Sequence, residues 1–173
     1  IIYELHRVAP SVLTTVIGTV SNSLVDHTPS KRLRVVKLLG RLFYDSKTNM
    51  ATDYAACFRE WLNRVNDTDV PVRLAMVKYL VAILTNKREK IVLDEVTGKL
   101  CFLLDYDPSA EVRLAAVRQV CDFAYRNEVA PDLLLSIGRR VSAKHKVQRK
   151  DALSGLSQIY FKNYLHKRVV PVH

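Results

Sequence analysis

An arginine preceded by a polar turn and followed by a helical apolar stripe occurs four times in this chain, at Arg32, Arg73, Arg113 and Arg149, with spacings of 41, 40 and 36 residues. Apolar or small residues stand at +3, +4 and +7 of each: Val35, Val36 and Leu39; Met76, Val77 and Leu80; Ala116, Val117 and Val120; Ala152, Leu153 and Leu156. The stripe reaches +10 at Leu42, Ile83, Phe123 and Ile159. That spacing turns one face of a helix toward a core. Six residues before three of the arginines is an aspartate (Asp26, Asp67, Asp107), and Ala143 takes its place in the fourth copy. Self-similarity at this period predicts a stack of like units.

Between these helices lie others with their own 3.6 period, on the faces Val12, Val16, Val20 and Leu24; Phe58, Leu62 and Val65; Val92, Val96, Leu100 and Leu103; and Leu134, Ile137 and Val141. Each period therefore holds two helices joined by a short polar turn such as "NDTD" or "DYDP". A two-helix unit of this length, with an aspartate before its second helix and an arginine inside it, resembles the HEAT repeat. The expected fold class is all-α, an α-solenoid of about four HEAT-type helical hairpins, because neither helix of a hairpin buries its apolar face alone. The expected organisation is one HEAT-repeat segment over 1–173, with repeats at about 8–44, 50–86, 88–127 and 130–165. In it the turn aspartates cap free amides and pair with arginines of a neighbouring unit. With Ala143 in the fourth turn, that pair and cap are expected to be missing or replaced by Ser142.

Five glycines and six prolines in a chain that is 49% hydrophobic argue against disorder and against a turn-rich β fold. No apolar run approaches the ~18 residues needed to cross a bilayer. The opening Ile1-Ile2-Tyr3 and the closing "RVVPVH" (168–173) read as the cut ends of a longer protein with apolar end faces open. Cys57, Cys101 and Cys121 lack CxxC spacing and sit on apolar stretches, as buried free thiols do. The glycines are isolated, the histidines form no metal-binding pair, and the carboxylates fall mainly in turns and on helix surfaces. The chain is therefore expected not to be an enzyme.

The net charge of +10 is unevenly placed: +4 over 1–44, zero over 45–86 and over 87–126, and +6 over 127–173. Basic ends favour an acidic partner. One candidate region is "KHKVQRK" (144–150) with the helix after it, where Lys144, Lys146, Arg149, Lys150, Tyr160, Lys162 and Tyr164 gather; Tyr160 and Tyr164 share a face by i,i+4 spacing. A second is the stripe Arg34, Lys37 and Arg41 at i, i+3, i+7. Trp61, beside Phe58 and Leu62, reads as core and not as a stacking platform for bases. Pro131 of "APD" (130–132) reads as a helix start.

The phrases "IYELHRVAPSVL" (2–13), "RLRVVKLLGRLF" (32–43), "RVNDTDVPVRLAMVKYL" (64–80) and "RKDALSGLSQIY" (149–160) resemble, in order and spacing, consecutive HEAT repeats of the Pds5 family of cohesin-associated proteins. The resemblance implies a nuclear, chromatin-associated scaffold that binds the cohesin kleisin subunit, works with a Wapl-type releasing factor and other cohesin regulators, and reaches chromatin through cohesin. It implies no required cofactor and no membrane, with an inositol polyphosphate as an optional ligand of the 144–164 region. The alternative is a HEAT module that binds nucleic acid directly through its basic ends. A transport-receptor-like solenoid fits the repeats but not the phrases.

Overall fold

A computed structural model of the chain describes residues 8–165, and all regular structure among them is helical. The helices are α1 (Pro10–Asn22), α2 (Pro29–Tyr44), α3 (Met50–Asp53), α4 (Ala55–Leu62), α5 (Val70–Asn86), α6 (Lys90–Tyr106), α7 (Ala110–Arg126), α8 (Pro131–Arg140) and α9 (Lys146–Tyr160). Single 3₁₀ turns follow α1 (Ser23–Val25) and α4 (Asn63–Asn66), and a π turn, Phe161–Leu165, follows α9. Pro10, Pro29, Pro71 and Pro131 stand in the first turns of α1, α2, α5 and α8, where a missing N–H leaves nothing unpaired. The helix start expected at Pro131 is thus observed. The phrase "YELH" and the closing "RVVPVH" lie outside the described residues.

The chain divides into two compact units, Ile1–Val96 and Thr97–His173, with the division inside α6. In the first unit, α2 packs along α5 and α1 packs on α4. Gly40 makes the first contact close, since a Cβ there would lie 2.5 Å from Tyr79 Cγ, and the Tyr44 and Tyr79 rings stack at 6.2 Å. Trp61 is fully buried, its ring 5.5 Å from that of Phe43, which meets Phe58 edge-on at 5.0 Å. Its indole N–H donates to the Val36 carbonyl at 3.0 Å, so burial leaves no donor unpaired. Hiding an indole of this size contributes roughly 4–6 kcal/mol of apolar transfer energy. Trp61 is core, as its spacing predicts.

Two features of the first unit differ from the sequence pattern. On α1 the buried line runs through Ile17, Ser21 and, in the 3₁₀ turn, Leu24, while Val12 is 42% exposed. Ser21 is buried with its hydroxyl donating to the Glu60 carboxylate on α4. The first helix of the second repeat is broken at Tyr54 (φ −119°, ψ 50°), which closes α3 and opens α4 without a proline or glycine to announce it. Phe58, Leu62 and Val65 are nevertheless all buried, because the 3₁₀ turn brings Val65 back to the core.

In the second unit α7 and α9 pack lengthwise and α8 lies on α9. Val112, Ala116, Val117 and Val120 are fully buried, as are Ile137 and Ala152. The expected apolar residue Leu153 is instead 56% exposed, and the buried stripe of α9 is Gln148, Ala152, Gly155 and Ile159. At the middle of that stripe Gly155 faces the Cys121 side chain so closely that a Cβ would overlap it. Cys57, Cys101 and Cys121 are free thiols, with Cys57 and Cys121 buried and Cys101 half-buried. Burial pushes the Cys121 thiol up to about 11.

Candidate functional site

Each repeat arginine turns back on the polar turn that precedes its helix. Nη1 of Arg32 donates to the carbonyls of Asp26 and His27 at 2.9 and 3.2 Å, and Nη1 of Arg73 to those of Asp67 and Thr68 at 2.7 and 3.3 Å. Arg113 does the same to the Asp107 carbonyl, and Arg149 to Ala143 and Lys144 at 2.7 and 2.8 Å. The acceptor is backbone, so the grip survives the change to alanine at position 143. The aspartate side chains brace the turn itself: Oδ1 accepts the amide two residues on, from Thr28, Asp69 and Ser109 at 2.8, 3.0 and 2.8 Å. They hold the N-cap residue instead of capping the helix, as the sequence suggested. Ser109 makes a cap contact of its own to Val112 N at 3.5 Å. No Ser142 cap is formed; the N-cap of α9 is His145, without a side-chain cap bond.

The expected bridge between neighbouring repeats is present at Arg32. Its Nε and Nη2 donate to Asp67 Oδ2 and Oδ1, both at 2.8 Å, with the carboxylate 1% exposed. Burial pushes Asp67 up, but the Arg32 hydrogen bonds, the Asp69 amide and the charges of Arg32 and Arg64 outweigh it and hold the carboxyl below its usual range. The hydrogen bonds to Asp67 raise Arg32 in turn. Arg73 and Asp107 are both buried, each braced by the contacts above.

The basic candidates fall into three places. Arg34, Lys37 and Arg41 are exposed along α2, and none makes an ion pair with a described residue. Lys78 on α5, also exposed, holds the register of Lys37 one repeat on, a place legible only by aligning the repeat arginines and not from the spacing within one helix. Lys144, Lys146 and Lys150 are exposed at the entry to α9, whereas Arg149 is half-buried and engaged by its two carbonyls. Tyr160 and Lys162 stand at the opposite end of α9, roughly 20 Å away along a fifteen-residue helix, so the candidate residues of 144–164 gather at its two ends. There Lys162 donates to the Tyr125 carbonyl and lies 4.3 Å over the Tyr125 ring. It borders a cleft of about 470 Å³ lined by Tyr125, Glu128, Leu134, Ile159 and Asn163 among others. Tyr164 falls in the π turn, and its side chain, with the face expected to be shared with Tyr160, lies outside the described residues.

Among the described residues no three His, Cys, Asp or Glu side chains come together as a metal site, and no helix is long and apolar enough to cross a membrane.

The sequence matches a known family over almost its whole length. The family described as "Sister chromatid cohesion protein PDS5 protein" matches residues 1–168. This chain belongs to the PDS5 family. Sister chromatid cohesion protein PDS5 homolog A of Mus musculus and that of Homo sapiens are each 32% identical over 168 residues, which is 96% of this chain. The Arabidopsis thaliana homolog A is 26% identical over 163 residues. The chain spans 12% of the length of the mouse and human relatives. A chain in the solved structure of the Pds5–Scc1 complex is similar in fold, with a TM-score of 0.81 and 18% identity, covering 99% of this chain and 26% of that one. The all-α HEAT-type fold of this PDS5-family segment is therefore the one its repeats predict.

Proposed function

We propose that this chain is a segment of a cohesin regulatory scaffold, which holds the cohesin kleisin on its helical surface and so helps to control sister chromatid cohesion. The observation that carries the reading is membership of the PDS5 family over residues 1–168, supported by likeness in fold to a Pds5 protein seen in complex with Scc1. The mechanism is occupancy and needs no chemistry: regular hairpins present fixed side chains to an extended partner. Acting through cohesin, the scaffold works at chromosomes in the nucleus, and a Wapl-type releasing factor and other cohesin regulators join it there. Exposed unpaired cations such as Lys37 and Lys146 steer an acidic partner and set its register more than they add affinity. Lys144, Lys146 and Lys150 also supply the cations that an inositol polyphosphate would need.

Overlapping kleisin peptides titrated against the chain at near-physiological salt test this reading. Saturable binding to one peptide, weakened by charge reversal of Arg34, Lys37 and Arg41 or of Lys144, Lys146 and Lys150, is expected. The stripe on α2 also favours a second reading, direct contact with duplex nucleic acid. Contact with several phosphates would cost roughly three decades of affinity between about 50 and 200 mM salt, far more than a peptide seated by apolar contacts loses.

A further inference from the structure

In the first unit, the three useful edges of the Arg32 guanidinium are all taken: Nη1 by the turn behind it, Nε and Nη2 by Asp67 ahead of it. Arg113 is held from behind in the same way, by the Asp107 carbonyl, but the register position ahead of it is Ala143. The turn at Ala143 keeps the shape of the turn at Asp67, since Arg149 grips its carbonyls as Arg73 grips those of Asp67 and Thr68. The helices that follow pack alike too, α9 on α7 as α5 on α2. A methyl group therefore stands where a carboxylate stands in the first unit. Neither Nε nor Nη2 of Arg113 donates to a described residue, and neither is sealed from solvent.

We propose that this open fork of Arg113 is a binding site for a carboxylate side chain supplied by an acidic segment of a protein partner. The ligand chemistry is the one the fold itself uses at Arg32, two parallel N–H donors on one planar carboxylate. The backbone grip fixes the guanidinium in advance, so little side-chain freedom is lost on binding. Lys144 and Lys146, exposed beside Ala143, raise the local concentration of acidic chains. The nearby acids do not compete: Asp151 is engaged by Arg118 at 2.6 Å, and Glu111, two residues before Arg113, projects from another side of α7. A single half-buried fork reads one carboxylate, whereas a duplex draws on a row of exposed cations. The site is independent of which partner the preceding reading names.

The test is a fluorescein-labelled peptide of alternating glutamate and serine, titrated by anisotropy against the chain and four variants. Ala143→Asp fills the fork from within, so binding should weaken roughly tenfold while the melting temperature rises. Ser142→Asp adds the same charge one residue away, and Ala143→Asn the same bulk without charge; both should stay within about threefold of the parent. Arg113→Lys keeps the charge but removes the fork, and should also lose roughly tenfold; it decides the matter if Ala143→Asp folds poorly. Equal losses in Ala143→Asp and Ser142→Asp would reduce the site to a diffuse basic field and overturn the proposal. So would full binding by Arg113→Lys, a loss in Ala143→Asn as large as in Ala143→Asp, or no binding by the parent. A random duplex DNA bound equally by the parent, Ala143→Asp and Arg113→Lys, with no peptide binding, would also overturn it and assign the basic surface to nucleic acid.

Discussion

Gln148 shows how a repeat constrains a single side chain. It stands one residue before Arg149, in the register that Val72 and Val112 fill in the two preceding repeats, and all three are buried. A valine there leaves nothing to satisfy, but the Gln148 amide nitrogen has no hydrogen-bond partner among the described residues. A buried donor left unpaired costs about 1–3 kcal/mol. Gln148→Val should therefore stabilise the chain by an amount of this order, seen as a higher urea midpoint with an unchanged slope. A lower midpoint would mean that the amide is satisfied in solution. Lys87, also buried, is the contrasting case: its ammonium donates to the carbonyls of Asp45 and Thr48, so the loop after α2 is held by a side chain from the end of α5. Burial lowers its pKa all the same. Neither residue was singled out by composition or spacing, because burial of a polar side chain depends on which neighbour faces it.

Among the elements, α7 and α9 meet at Gly155, where a Cβ would overlap the Cys121 side chain. Gly155→Ala gains helix propensity, about 1 kcal/mol, yet forces a methyl group into the Cys121 side chain. The net effect should be destabilising by roughly 1–2 kcal/mol, and Cys121→Ala in the same chain should recover part of it, because it removes the overlap with Sγ but leaves the Cβ of residue 121 close to the new methyl group. Urea melts of the four members of this cycle measure the coupling; additive effects would show that α7 and α9 separate freely. The same contact explains where sequence reading succeeded and failed. The arginine register and the apolar stripe located α2, α5, α7 and α9, since four copies of one pattern average out local exceptions. What the stripe missed was Leu153, which faces outward while Gly155 takes the close contact with α7. The break at Tyr54 has no local signal at all, and the hydrogen-bond partner of the buried Ser21 is Glu60, 39 residues away.

Across the whole molecule the excess of positive charge works against the compact state, and acid makes it larger. Of 17 carboxylates, those held in the native state below their usual range resist protonation longest: Asp26, through the Thr28 amide, Glu89, through the backbone amides of Glu89 and Arg88, and Asp67, through the Arg32 fork and its other partners once these outweigh burial. A carboxyl with a depressed folded pKa contributes stability that is fully present above its ordinary value near 3.8 and is lost as pH falls through the lower folded value. Stability should therefore change little between about pH 7 and 5 and fall steeply below about pH 4. Asp67→Asn should be less stable at pH 7 and show a shallower acid limb, since it has already lost the group that titrates. Raising salt from about 0.05 to 0.5 M should protect both proteins in acid, because the exposed cations that repel one another are screened. The buried Arg32–Asp67 pair is shielded from salt, so the difference between parent and Asp67→Asn at pH 7 should survive the same change. Urea melts at pH 7 and pH 3, each at low and high salt, separate the two contributions. An acid limb equally steep in Asp67→Asn would place the acid sensitivity in charge repulsion alone and not in the arginine–aspartate bridge.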